Sequence, residues 1–260
     1  VDRGTGSKSM LETFTALLTA HLLADFVLQT DYMIAHKKQA KILALHGLII
    51  GIATMVAIGG CTKVSIMMTM IVVITHILMD FIKLRYLGDT LRSFALDQGV
   101  HIAVIAAITA WYPELSSMGW WAGLAGHYQA QLYAGMTLAS GIIIGVPLGG
   151  VLIKKLVAPI APPPPSSTGS GTGPLTGMAQ GGKYIGWLER AITMMLILTG
   201  KAEGVGFLIA AKSILRLRDI STDEDRHVAE YIIIGTFLSF GWGMLVALMT
   251  AKAVSYWSAF

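Results

Sequence analysis

The stretch Thr75-His76-Ile77-Leu78-Met79-Asp80-Phe81 closes an apolar run that begins at Val64, and its reading decides the rest of the chain. An α-helix turns once in about 3.6 residues, so His76 and Asp80 project from one face, one above the other. An imidazole and a carboxylate this deep in hydrocarbon-like sequence are costly unless they meet each other, a metal, a proton path or water. The phrase occurs earlier as Thr19-Ala20-His21-Leu22-Leu23-Ala24-Asp25-Phe26, again at the end of an apolar run. It occurs inverted as Asp97-Gln98-Gly99-Val100-His101, at the start of another, and a further run carries His46 alone.

Outward from these runs, the chain is 54% hydrophobic and 13% charged, with a mean hydropathy of +0.66. An ordinary soluble domain has about 25% charged residues. The expected fold is therefore an all-α, polytopic transmembrane bundle of about seven to eight spans, one of them short or re-entrant. Net charge is +4, but the basic residues sit in short loops between apolar runs, where they read as topology signals and contacts to anionic headgroups. Nucleic acid is not an expected partner; membrane lipids are, and a homo-oligomer is left open. The one cysteine, Cys61, excludes an internal disulfide and a thiolate metal cage within the chain.

Residues 1–10 read as an N-terminal tag or tail, and no small-residue cleavage signal follows, so the first apolar run is taken as a retained helix. A first half, 11–157, holds spans expected at Leu11–Gln29, Ile42–Gly60, Val64–Leu84, Leu96–Tyr112 and Leu132–Val157. Four prolines, Pro162 to Pro165, open a Pro/Gly/Ser-rich stretch, 158–182, that reads as a cytoplasmic linker. The second half, 183–260, has apolar runs at Tyr184–Thr199 and Val228–Val254. Between them Val205–Leu215 is too short to cross comfortably.

Lys37, Lys38 and Lys41 lie in the first connection and Lys83, Arg85 and Arg92 in the third. The second holds only Lys63 and the fourth no Lys or Arg. The positive-inside rule then places the first and third connections in the cytoplasm, and Trp111, Tyr112, Trp120 and Trp121 at the opposite interface. On that orientation His21, Asp25, His46, His76, Asp80, Asp97 and His101 lie at one depth near the inner face.

Imidazole and carboxylate without thiolate suit zinc first, with manganese or iron as alternatives. These seven residues are the expected metal ligands, with Asp25, Asp80 and Asp97 also expected to take part in catalysis. They suffice for one site with supporting partners, or for two ions sharing a carboxylate. His46, alone on its helix, has the simpler reading of a hydrogen-bonded packing residue beside that of ligand or orienter. His36, His127 and His227 read as solvated or interfacial. Lys83, three residues after Asp80, is expected to pair with it. Gln29, Lys83, Gln98, Glu189, Arg190, Lys212 and Glu230 are candidate substrate-contacting or supporting residues. For Glu189, Arg190, Lys212 and Glu230, mutual structural ion pairing is the competing reading. The glycines of Gly141–Gly150 and Gly235–Gly243 read as sites of close helix approach, since no strand-to-helix context for phosphate binding surrounds them.

Taken together, His-x3-Asp-Phe-x2-Gln (His21 to Gln29), an isolated His46, His-x3-Asp-x2-Lys (His76 to Lys83), Asp-Gln-x2-His (Asp97 to His101), the late Gly206-Phe207-Leu208-Ile209-Ala210-Ala211-Lys212-Ser213 and Ala229-Glu230-Tyr231 resemble a family of bacterial polytopic inner-membrane proteins of unknown function. The resemblance implies a multi-pass protein of the bacterial inner membrane and no particular activity. More loosely, the intramembrane His/Asp pattern is similar to predicted membrane-bound metal-dependent hydrolases. The leading functional expectation is a metal-dependent hydrolase of a lipid or amphiphilic substrate near the cytoplasmic leaflet. An ion or proton-coupled transporter, with the same groups as a relay, is the alternative, and a haem or non-haem iron redox protein is a weaker one.

Overall fold

Ten α-helices, and no strand, make up the regular structure of the described residues in this computed structural model, which describes 3–60, 62–162, 181–216 and 223–258. They are α1 (Arg3–Phe26), α2 (Asp31–His36), α3 (Ala40–Ile58), α4 (Lys63–Ile82), α5 (Leu91–Trp111), α6 (Gly126–Ile143), α7 (Gly149–Val157), α8 (Gly181–Leu198), α9 (Glu203–Arg216) and α10 (Asp223–Trp257). Residues 1–2, Cys61, 163–180 of the expected linker, 217–222 and 259–260 lie outside the described residues.

Five helical stretches are long and apolar enough to cross a membrane: Ala40–Ile58, Lys63–Leu87, Leu91–Trp111, Gly126–Ile160 and His227–Trp257. Their outward residues support that reading. On α3 the exposed side chains include Leu48, Ile52 and Val56, and on α4 Ile66, Met70, Ile74 and Leu78. A water-soluble bundle would carry polar groups there; apolar ones at these positions suit hydrocarbon. The stretch expected as the first span, α1, is not among the five. Glu12, Thr13, Thr19, His21 and Asp25 lower its hydropathy, and α3, α5 and α6 pack around it. It also begins at Arg3 rather than Leu11.

The chain divides into two compact units, Val1–Ile143 with Thr250–Phe260, and Ile144–Met249. In the first, α1 packs on α3 and α5, and α4 packs on the same two, so these four helices close a ring. Short connections between consecutive members alternate their directions. Thr62 caps α4 by accepting from Ser65 N at 3.1 Å, and Thr90 with Ser93 forms a capping box at the start of α5. Gly59 ends α3 in the left-handed conformation, φ 62°, which costs glycine little. The core is lined by Ala16, Ala20 and Ala24 of α1, whose small side chains at i, i+4 let neighbours approach, against Ile50, Met68, Val72 and Ile105.

One end of this ring is closed by the tryptophan-rich loop, where Trp120 N donates to Gly59 O at 2.6 Å and Trp121 Nε1 to Val56 O at 2.9 Å. At the other end lie the C-terminal turns of α1 and α4 and the N-terminal turns of α3 and α5. Those four turns carry the His/Asp phrases.

The second unit is described by α7, α8, α9 and most of α10, with the helix turns of Ile144–Leu148 widened around Pro147. Trp242 Nε1 donates to Ile144 O at 3.0 Å and Arg190 Nε to Val146 O at 3.2 Å, taking up carbonyls of that irregular segment.

Candidate metal centre

His21 and Asp25 sit near the C-terminus of α1, His46 near the start of α3, His76 and Asp80 near the end of α4, and Asp97 and His101 near the start of α5. All seven converge. His76 and His101 stack with ring centroids 3.9 Å apart, and His76 lies 5.1 Å from His46 and 5.5 Å from His21 by the same measure. Every imidazole is buried, as are Asp80 and Asp97, and the Asp25 side chain is 9% exposed.

Gly47 faces Ile77, the residue after His76, and a Cβ there would force the Ile77 side chain to shift. His46 Nε2 and His76 Nε2 are 3.2 Å apart, and each is 3.2 Å from Asp25 Oδ1. Asp80 Oδ2 is 3.6 Å from His46 Nε2 and 3.5 Å from His76 Nε2. Five of the six edges of a four-cornered figure are thus 3.2–3.6 Å. Three donor atoms mutually 3.2 Å apart, His46 Nε2, His76 Nε2 and Asp25 Oδ1, let one ion lie roughly 2.0–2.2 Å from each, the bond length of zinc to imidazole nitrogen and carboxylate oxygen.

The polar atoms are poorly satisfied by one another. Asp25 Oδ1, Asp97 Oδ1, His46 Nδ1 and His101 Nε2 are buried without a hydrogen bond of proper alignment, and Asp80 Oδ2 has the Lys37 ammonium at 2.7 Å. Burying carboxylate oxygens without full hydrogen bonding is costly, and a cation bound between them reduces the cost. On these two observations the residues present fit a divalent ion. Three overlapping groups have ligand atoms close enough to share one: His21, Asp25 and His76; His46, His76 and Asp80; and Asp80, Asp97 and His101.

Around the cluster, Gln98 Oε1 accepts from His21 Nε2 at 3.2 Å, and Gln98 Nε2 donates to Asp25 Oδ2 at 3.4 Å and Asp97 Oδ2 at 3.3 Å. That donation commits His21 Nε2 to carrying its proton. Lys83 does not pair with Asp80 as its spacing suggests. The helix widens into a π turn at Lys83–Leu87 against α5, and the ammonium reaches across to Asp97 Oδ2 at 2.7 Å. Asp80 is met instead by Lys37, whose Nζ lies 2.7 Å from Oδ2. Lys37 was legible only as one of several loop lysines; nothing local marks which of them turns inward. Gln29 Nε2 is buried with no partner.

The remaining candidates belong to the second unit. Lys212 Nζ is 2.7 Å from Glu189 Oε2, and Arg190 donates to Val146 O and to Ser239 Oγ rather than to an acid. Glu230 lies 3.9 Å from His227 Nδ1. His36 bonds the Tyr32 carbonyl, and His127 packs on Tyr128, both outside the cluster.

Residues 13–122 match the model of a family described as a protein of unknown function (DUF3307). The matched stretch runs from α1 past the end of α5 and so contains all seven cluster residues. No curated protein and no solved structure matches the chain.

Proposed function

We propose that the first unit is a membrane-embedded metal centre and that the protein is a metal-dependent hydrolase of a lipid or amphiphilic substrate. The convergence of His46 Nε2, His76 Nε2 and Asp25 Oδ1, with Asp80 Oδ2 3.5–3.6 Å from both imidazoles, carries this reading. Two histidines and an aspartate with three equal edges of 3.2 Å form the tightest set and are the first three ligands, with Asp80 Oδ2 within reach of the same ion. Asp80 Oδ2 holds the fourth corner and is also drawn toward Lys37. Two imidazoles and a carboxylate suit zinc, with manganese and iron as alternatives.

A divalent ion held there acts as a Lewis acid on an ester or phosphoryl oxygen and makes water a nucleophile near neutral pH. Asp97, with its Oδ1 3.3 Å from His101 Nε2, would hold a proton at that oxygen beside the centre. Gln98 fixes His21 and the second oxygens of Asp25 and Asp97, so the carboxylates keep one orientation. The ring of α1, α3, α4 and α5 keeps bulk water away, which strengthens every charge interaction inside.

With α1 and both arms of the antiparallel α8–α9 pair counted as spans beside the five apolar stretches, the chain crosses a bacterial inner membrane eight times, the 14-residue α9 being the short span. Lys37, Lys38, Lys41, Lys83 and Arg85 then lie on the cytoplasmic side together with the cluster. An amphiphile in the inner leaflet reaches that depth with its headgroup.

Elemental analysis of the purified full chain tests the centre. About one equivalent of a divalent transition metal is expected, lost in a His46→Ala, His76→Ala double variant. A metal content unaffected by that variant would falsify the proposal. A screen of ester and phosphoester amphiphiles tests the reaction, with turnover expected in the wild type and none in Asp97→Asn.

A further inference from the structure

Lys37 and the proposed ion compete for one oxygen. Asp80 Oδ2 is 2.7 Å from Lys37 Nζ, and it is also the atom that faces His46 Nε2 and His76 Nε2. On the neighbouring carboxylate, Lys83 Nζ holds Asp97 Oδ2 at the same 2.7 Å. The two lysines are the more exposed partners, 12% and 22% against 4% for each aspartate, which puts them at the rim.

Charge balance then sets a condition. Asp25, Asp80 and Asp97 against Lys37 and Lys83 leave one negative charge with neutral imidazoles, and a divalent ion turns that into one positive charge. A net charge in a site this dry is unfavourable in either sense. The ion also takes the oxygen that Lys37 holds, so the ammonium loses its carboxylate as the centre fills.

From this we infer that the loaded centre takes up a phosphate-type oxyanion, with Lys37 and Lys83 as its basic contacts, so that metal and phosphate bind cooperatively. The inference rests on the metal centre proposed above. A carboxylate has two oxygens, whereas a phosphate group has enough to meet the ion and both ammoniums at once, each lysine serving as a point charge. The phosphate is either a free anion or the headgroup of an anionic lipid, and its binding energy is returned as tighter metal binding, since linkage is reciprocal.

Cobalt(II) binding by the full chain in maltoside micelles, measured by competition with a chromophoric chelator, gives the test. Inorganic phosphate is expected to tighten cobalt binding about tenfold. Complexation of cobalt by phosphate in solution works in the opposite sense, so it cannot mimic the effect. In Lys37→Met, cobalt binding without phosphate should be tighter than in the wild type, because the competitor for Asp80 is gone, and phosphate should no longer enhance it. Lys37→Arg, which keeps the charge, should retain the enhancement. Replacing free phosphate by phosphatidic acid in the micelles identifies the source: enhancement by the lipid assigns a headgroup, and enhancement by inorganic phosphate alone assigns a soluble anion.

Cobalt binding that is indifferent to both phosphate sources, or an enhancement that survives Lys37→Met, overturns this inference and leaves the metal centre standing. A chain that binds no cobalt at all removes both.

Discussion

Both units bury charged groups among apolar helices, yet they satisfy them in opposite ways. In the second unit donors meet acceptors: Arg190 gives its protons to Val146 O and Ser239 Oγ, and Lys212 gives one to Glu189. In the first, several buried polar atoms are left without aligned partners. Asp25 Oδ1 and Asp80 Oδ2 face two imidazole Nε2 atoms, and the two ammoniums reach only the outer carboxylates, Asp80 and Asp97. A network whose donors and acceptors balance is complete as a structural element. Buried carboxylates and imidazoles left without full partners are groups that could hold a cation, and this difference separates scaffold from candidate site more sharply than burial does.

The contrast can be broken most directly at its centre. His46→Ala with His76→Ala should reduce bound metal by about tenfold or more, since two of the ligand atoms disappear, whereas Arg190→Leu should leave metal content unchanged. Metal analysis of the two purified variants side by side checks this. A loss of metal in both would mean that the second unit is not an independent scaffold.

A smaller effect is expected one step out. Gln98→Leu removes the amide that holds His21, Asp25 and Asp97, and such supporting contacts are worth about 10–100-fold in metal affinity. Chelator competition measures it. An affinity within twofold of the wild type would leave Gln98 without a supporting role.

In the second unit the expected penalties are in stability. Arg190→Leu leaves a buried carbonyl and a buried hydroxyl without their donor, at a cost of about 1–3 kcal/mol, read as a lower midpoint of thermal unfolding in detergent. Least affected should be Glu189→Gln. Its partner Lys212 is 24% exposed, and a partly screened ion pair of this kind is worth about 1 kcal/mol or less. A large loss of stability in this last variant would show that the Glu189–Lys212 pair is part of the second unit's core.

Much of this was legible in the residues. Spacing at i, i+4 put His21 with Asp25, His76 with Asp80 and Asp97 with His101 on common helix faces. Placement at alternating helix ends put all of them at one level of the ring. Hydropathy marked the apolar helices, but α1, expected as the first span, is not among the five stretches apolar enough to cross, since it carries Glu12, Thr13 and His21 buried against α3, α5 and α6. His46 was the hardest to place, since alone on its helix it offered no partner in sequence. It lies at the focus of the cluster because α3 packs between α1 and α4, which carry its partners Asp25, His76 and Asp80.

The sequence by itself determined that this is a helical, apolar chain whose histidines and aspartates share faces and depth, because helical periodicity and hydropathy act over a few neighbouring residues. Which of those groups face one another was decided only by tertiary packing: Asp25 between His46 and His76, Lys37 on Asp80, Lys83 carried across to Asp97. Such choices depend on the rotation and separation of helices joined through loops, and an oxygen lies either 3 Å or 6 Å from a nitrogen, as about one side chain's width of packing dictates.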